Sequence, residues 1–132
     1  MKLSDTVDLL LKHKVREIWS VSPDQSVYEA IEKTTDKGVR ALLVISEGGL
    51  VGIISERDYA RKVILKGRSS KETPVKEIMT SPVFYVTRQQ TADECMTIMT
   101  SRRIRHPPVV EGEHPMDVVS VGDLVKWIIS LG

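Results

Sequence analysis

The chain has a single cysteine, Cys95, among 132 residues, so no disulfide can form within it. That usage suits a reducing compartment and predicts a cytoplasmic protein. Long apolar runs are also missing. The longest span about five residues, far short of the roughly 20 that a membrane helix needs, so no membrane segment is expected. Charge of one sign is missing too: the net charge is +1, which removes the bulk electrostatic argument for a nucleic-acid or membrane partner. Met1-Lys2-Leu3-Ser4-Asp5 carries no apolar core or cleavage site, and no signal peptide is expected. His13, Cys95, His106 and His114 are scattered without metal-ligand spacing. No Gly-x-Ser-x-Gly and no Cys/His pair with a third partner can be read, so neither catalysis nor a catalytic cofactor is expected.

What is present is ordinary for a globular protein: 41% hydrophobic and 28% charged residues. The length allows one domain, or two small halves sharing a core. Ser4 is placed to cap a short helix carrying Val7, Leu10 and Leu11, an outlying flap or dimer element within an N-terminal extension over 1–14. Val15 to Val21 reads as extended. Ser26-Val27-Tyr28-Glu29 is a capping box whose helix ends near Gly38. Ala41 to Ile45 and Leu50 to Ile54 form a hairpin about Glu47-Gly48-Gly49. A helix over 56–66 follows, closed by Gly67.

Polar residues 68–74 read as a linker between a first repeat, 15–67, and a second, 75–132. In the second, Val75 to Met79 makes one helical turn and Val83 to Val86 a short strand. Thr91-Ala92-Asp93-Glu94 caps a helix over 91–102. Pro108-Val109-Val110 and Val118-Val119 pair across a turn, and a last helix runs from about Val121 to Leu131. The order β-α-β-β-α thus occurs twice, offset by 65 residues without a gap. The identities include Val21/Val86, Glu29/Glu94, Thr35/Thr100, Arg40/Arg105, Val44/Val109, Ser55/Ser120 and Asp58/Asp123. These alone exceed the roughly three expected by chance at average composition, and they fall on a strand entry, a helix cap, a core strand and a strand-to-helix corner. Each unit alone would be marginal in size, so two tandem repeats packed with pseudo-two-fold symmetry are expected.

The corner Ser55-Glu56-Arg57-Asp58 recurs as Ser120-Val121-Gly122-Asp123. Two readings stand. In one, each serine and aspartate is a reciprocal helix cap. In the other, the serine donates to a phosphate at the helix start and the aspartate accepts from ribose hydroxyls. Arg57 lies in the first helical turn, where a cation is favoured only if a phosphate arrives. Gly122 fills the matching position, so the two corners are not equivalent.

Gly52-Ile53-Ile54-Ser55-Glu56-Arg57-Asp58, Val118-Val119-Ser120-Val121-Gly122-Asp123, Lys76-Glu77-Ile78-Met79-Thr80 and His106-Pro107-Pro108-Val109-Val110 together resemble a CBS-domain pair, or Bateman module, over about residues 15–131. The resemblance implies a stand-alone, α/β (α+β) regulatory module, often a disc-like homodimer. Its ligand would be an adenine nucleotide or adenosyl compound, held in clefts between the repeats. AMP, ADP, ATP and NAD(H) all stay open, as does the effector protein. It assigns the ribose role to Asp58 and Asp123 and the phosphate role to Ser55 and Ser120. Backbone at Arg40-Ala41 and Arg105-His106-Pro107 would meet the adenine, with Ile18, Trp19, Met79 or Thr80 on the entry strand.

Each of these has a plainer alternative: a strand-edge histidine at 106, surface salt bridges at Arg40 and Arg105, and core packing for Trp19. Repeat two departs from the family pattern. Asp117 stands in place of Gly52, where a side chain narrows the approach to a ligand, and Pro107 removes an amide donor. Two other functions compete. A structural dimer or adaptor would keep the clefts empty. A nucleic-acid binder would rest on Arg102-Arg103-Ile104-Arg105 and residues 12–16.

Overall fold

The computed structural model describes residues 4–12, 18–112 and 114–130. The chain is a mixed α/β protein whose residues fall into two units, 19–83 and 1–18 with 84–132.

In the first unit a three-stranded sheet runs β1 (Ser20–Val21), β2 (Ala41–Ser46), β3 (Gly49–Ser55). β1 is parallel to β2, and β2 antiparallel to β3. Helix α2 (Val27–Lys37) connects β1 to β2. Its start is the expected capping box, with the Glu29 amide donating to Ser26 Oγ at 3.1 Å. Hydrogen bonds from Gln25, and then Ser26, hold the Glu29 carboxyl below its ordinary range. Gly38 ends the helix at φ 65°, a conformation that costs glycine little. The β2–β3 turn places both Glu47 (φ 51°) and Gly48 (φ 79°) in the left-handed region, which matches the twist of a two-residue hairpin. Val21, Val27, Leu42, Val44, Ile54 and Val63 are buried together beneath α2.

After β3 the chain differs from the expected regular helix over 56–66. One α-helical turn, α3 (Glu56–Tyr59), widens at once into a π-helical turn, Ala60–Ile64, with the Leu65 amide donating to the Ala60 carbonyl. Residues 68–74, the expected linker, are bonded to the first unit. Thr73 is buried, its carbonyl accepts the Val27 amide at 2.9 Å, and the Ser70 carbonyl accepts the Tyr28 amide at 3.0 Å. A 3-10 turn, Val75–Glu77, follows. Residues up to 83 stay with this unit through the bridge between Thr80 and Ile53.

In the second unit, helix α4 (Ala92–Ser101) starts at a Thr91–Glu94 capping box. The hairpin is β4 (Pro108–Glu111) and β5 (His114–Val118), and helix α5 is Val121–Ser130. The repeat is repeated in its irregularities: the hairpin register shifts between Val44 and Ile45 and again, 65 residues on, between Val109 and Val110.

One expected strand is reduced. Over 83–86 only Val86 pairs, by a single parallel bridge to Val109. The reason is the partner strand. In the first unit the Trp19 carbonyl accepts the Leu43 amide at 3.3 Å. The matching bond to Phe84 would need an N–H on Pro108, which has none.

The N-terminal helix α1 (Val7–Leu11) is not an outlying flap. Thr6, not Ser4, caps it, with the Leu9 amide on Thr6 Oγ1 at 3.3 Å. Val7 and Leu10 are buried with Val86, Cys95, Val109 and Trp127. The Val7 amide donates to the Gln90 carbonyl at 2.8 Å, and the Ala92 amide to the Asp5 carbonyl at 2.9 Å. The helix is thus part of the core of the unit that holds the second repeat.

Candidate functional site

At the first corner β3 ends at Ser55, which is extended at φ −124°, and α3 begins. The Asp58 amide donates to Ser55 Oγ at 3.2 Å. Asp58 Oδ2 accepts the Ser55 amide at 3.0 Å and the Ser55 hydroxyl at 3.1 Å. The reciprocal cap is therefore real. It leaves Asp58 only 8% exposed, and a carboxylate so far removed from water needs its lone pairs filled.

Two further donors reach Oδ1. Thr80 Oγ1 lies at 3.0 Å and Lys62 Nζ at 2.9 Å. Thr80 is brought there by two backbone bonds with Ile53, at 2.8 and 3.1 Å. Ala41 pairs with Ser55 across the ladder, and the Arg40 carbonyl accepts the Glu56 amide at 3.2 Å. With the Glu56 and Asp58 amides both spent, and only one regular α-helical turn behind them, the helix start offers little to a phosphate beyond side chains. Arg57 is exposed in that turn.

So Arg40, Ala41, Ser55, Asp58, Met79 and Thr80 gather at one corner of one unit. Trp19 belongs to the same unit but packs half-buried against its core, with Lys37 Nζ 4.2 Å above the ring. A base stacking there would have to displace that cation. The linker cations are engaged as well: Arg68 pairs with Glu77, and Lys71 Nζ lies 4.9 Å from the centre of the Tyr28 ring. A cavity of about 290 Å³ on this unit is lined by Tyr28, Ile31, Glu32, Thr35, Asp36, Tyr59 and Ser70, none of them a candidate residue.

The second corner repeats the cap. The Ser120 amide donates to Asp123 Oδ2 at 2.9 Å and the Asp123 amide to Ser120 Oγ at 3.1 Å, and Asp123 is 7% exposed. Ile18 and His106 are half-buried in this unit, and Arg105 is exposed. Pro107 is buried and its carbonyl accepts the Val119 amide at 3.0 Å. Gly122 is exposed, and a Cβ there would meet only Ser120 Oγ, at 3.6 Å, so no steric demand fixes glycine. Asp117 turns back on its own strand, Oδ1 accepting the Val118 amide at 2.6 Å. The positions that correspond to Met79 and Thr80, namely 14 and 15, lie outside the described residues, as does the basic stretch 13–16. Arg102 lies 4.6 Å over the Phe84 ring and Arg103 is left-handed at φ 54°, so the basic residues 102–105 lie in the turn after α4.

Sequence reasoning missed Lys62. The Asp58-to-Lys62 spacing of four residues, which brings side chains together on a helix, was the available signal. Among the described residues no group of three or more His, Cys, Asp or Glu side chains could hold a metal ion, and no helix is long and apolar enough to cross a membrane.

The CBS domain family model matches residues 14–65 and 75–130. The chain is 38% identical over 136 residues to CBS domain-containing protein CBSX3, mitochondrial, of Arabidopsis thaliana, covering 96% of this chain and 66% of that protein. A protein of Thermofilum pendens is 37% identical over 101 residues, and the chain spans 33% of its length. Among solved structures, a Burkholderia ambifaria MC40-6 protein with CBS domains is 48% identical with a TM-score of 0.90, over 95% of this chain and 94% of that one.

Proposed function

The chain belongs to the CBS domain family, two copies of which make up most of its length, and on that premise we propose that it is a non-catalytic regulatory sensor of an adenosine-containing ligand. The observation that carries this reading is the recurrence, in both units, of an aspartate more than nine-tenths buried at a strand-to-helix corner. A cap needs no such burial: Glu29 and Glu94 cap helices in this same chain while exposed.

In this reading Asp58 and Asp123 accept from ribose hydroxyls, beside Ser55, Ser120 and Thr80. The backbone at Arg40-Ala41 and Arg105-His106-Pro107, with Ile18, Trp19 and Met79, faces the adenine. Arg57 meets phosphate at the first corner, where Gly122 has no counterpart charge at the second. AMP, ADP, ATP, NAD(H) and adenosyl compounds all fit that description. Occupancy would then modulate a partner protein in the cytoplasm, a setting in keeping with the one free, buried cysteine. Self-association as a homodimer is part of the proposal. It is supported by the apolar stripe that α5 leaves exposed at Val121, Val125, Ile128 and Ile129.

Isothermal titration of the purified chain with each of those ligands tests the reading. Saturable heat with at least one adenosine compound, and none with guanosine or cytidine counterparts, is expected. Silence from all of them would favour a structural adaptor.

A further inference from the structure

A carboxylate offers about four lone-pair positions, and Asp58 has filled its own. Oδ2 takes the Ser55 amide and hydroxyl, and Oδ1 takes Thr80 Oγ1 and Lys62 Nζ. A ribose hydroxyl that donates to Asp58 must therefore replace one of these donors. The two from Ser55 are the cap that starts α3. Thr80 is held in place through both its backbone groups by Ile53. Lys62 is different. Its side chain is long, 44% exposed and carried on the π-helical turn, and its ammonium is shared between Asp58 Oδ1 and the Ile78 carbonyl, each at 2.9 Å. Returning a half-exposed ammonium to water costs little on the lysine's side, and the incoming hydroxyl takes its place on the buried Oδ1, which is not left bare.

We infer that Lys62 is an intrinsic competitor at the first site, an occupant of Asp58 Oδ1 that a ribose hydroxyl has to displace. The inference rests on the ribose role proposed for Asp58. It adds a difference between the two sites that the shared Ser-x-x-Asp motif hides. The position that matches Lys62 in the second repeat is Trp127, which is 4% exposed in the core of its own unit. No lysine therefore stands at the matching position of the second repeat, and at the first site a nucleoside would bind by displacing an ammonium.

The test is titration of the full chain in an Asp123→Asn background, so that the first site reports, with adenosine and with AMP. Lys62→Met, which keeps the stem and loses the ammonium, and Lys62→Gln are compared with the parent, and unliganded melting is followed to establish folding. Both variants are expected to bind adenosine about fivefold more tightly, and Asp58→Asn is expected to abolish that gain. If Lys62→Met leaves adenosine unchanged and weakens AMP, Lys62 is a phosphate ligand and the competitor role is wrong, while Asp58 keeps its ribose. No change with either ligand also overturns it. If Asp58→Asn alone leaves adenosine binding intact, or no variant binds adenosine, the ribose assignment and the competitor fall together.

Discussion

Gly52 and Met79 share one space: a Cβ placed on residue 52 would lie 2.5 Å from Met79 Sδ and 2.9 Å from its Cγ. The family-pattern glycine is thus explained by packing within the unit. Gly52→Ala is expected to destabilise the protein by about 1–3 kcal/mol, as overpacking does. Met79→Ala should relieve most of that cost in the double variant. Urea denaturation of the four members of the cycle measures it, and simple additivity would mean that the two side chains do not meet.

Leu10 is 5% exposed in the core of the unit that holds the second repeat. Leu10→Ala should therefore cost about 2–5 kcal/mol, the range for an emptied core position. A flap lying on the surface would give a change within about 0.5 kcal/mol, and equilibrium unfolding separates the two.

Burial pushes the Cys95 thiol from 9.0 to about 11. At pH 8 its thiolate fraction is then roughly a hundredfold below that of an ordinary thiol, and its reaction with a disulfide reagent should be slowed at least as much until the chain unfolds. Linkage gives the sign for stability. The folded state favours the neutral thiol, so this contribution is complete below pH 9 and is lost as the pH rises towards 11. The comparison that isolates this contribution is with Cys95→Val, whose unfolding midpoint should fall less steeply over that window.

The exposed apolar stripe on α5 bears on self-association. Val125 is 48% and Ile128 44% exposed, so Val125→Glu with Ile128→Glu should leave the unit folded and convert a dimer into a monomer by light scattering. A wild-type mass equal to one chain at high micromolar concentration would remove the dimer.

Local signals were legible and distant ones were not. The boxes at Ser26 and Thr91 and the Gly38 cap need only residues three or four apart, and each formed as its spacing requires. The hairpins and the repeat could be read because strand patterns and a fixed offset survive in one dimension. Val7 joins a core that reaches from Val86 to Trp127, far along the chain, and Thr80 reaches Asp58 across 22 positions. No periodicity encodes either contact. The π-helical turn after Tyr59 was hidden because its apolar spacing is close to that of an α-helix. The lost strand over 83–86 was readable in principle from Pro108, since a missing N–H is written in the sequence.

The most direct test of the account is the thermal shift produced by an adenosine ligand in the Asp58→Asn, Asp123→Asn double variant. Asparagine remains a good capping residue, so the unliganded melting temperature should stay within a few degrees of the parent. In the parent, a ligand at about a hundred times its dissociation constant should add roughly 2.7 kcal/mol. The double variant is expected to lose most of that stabilisation, because each carboxylate supplies charge-assisted bonds worth about 1.5–3 kcal/mol. Full ligand stabilisation in the double variant would contradict the ribose role and leave both aspartates as helix caps alone.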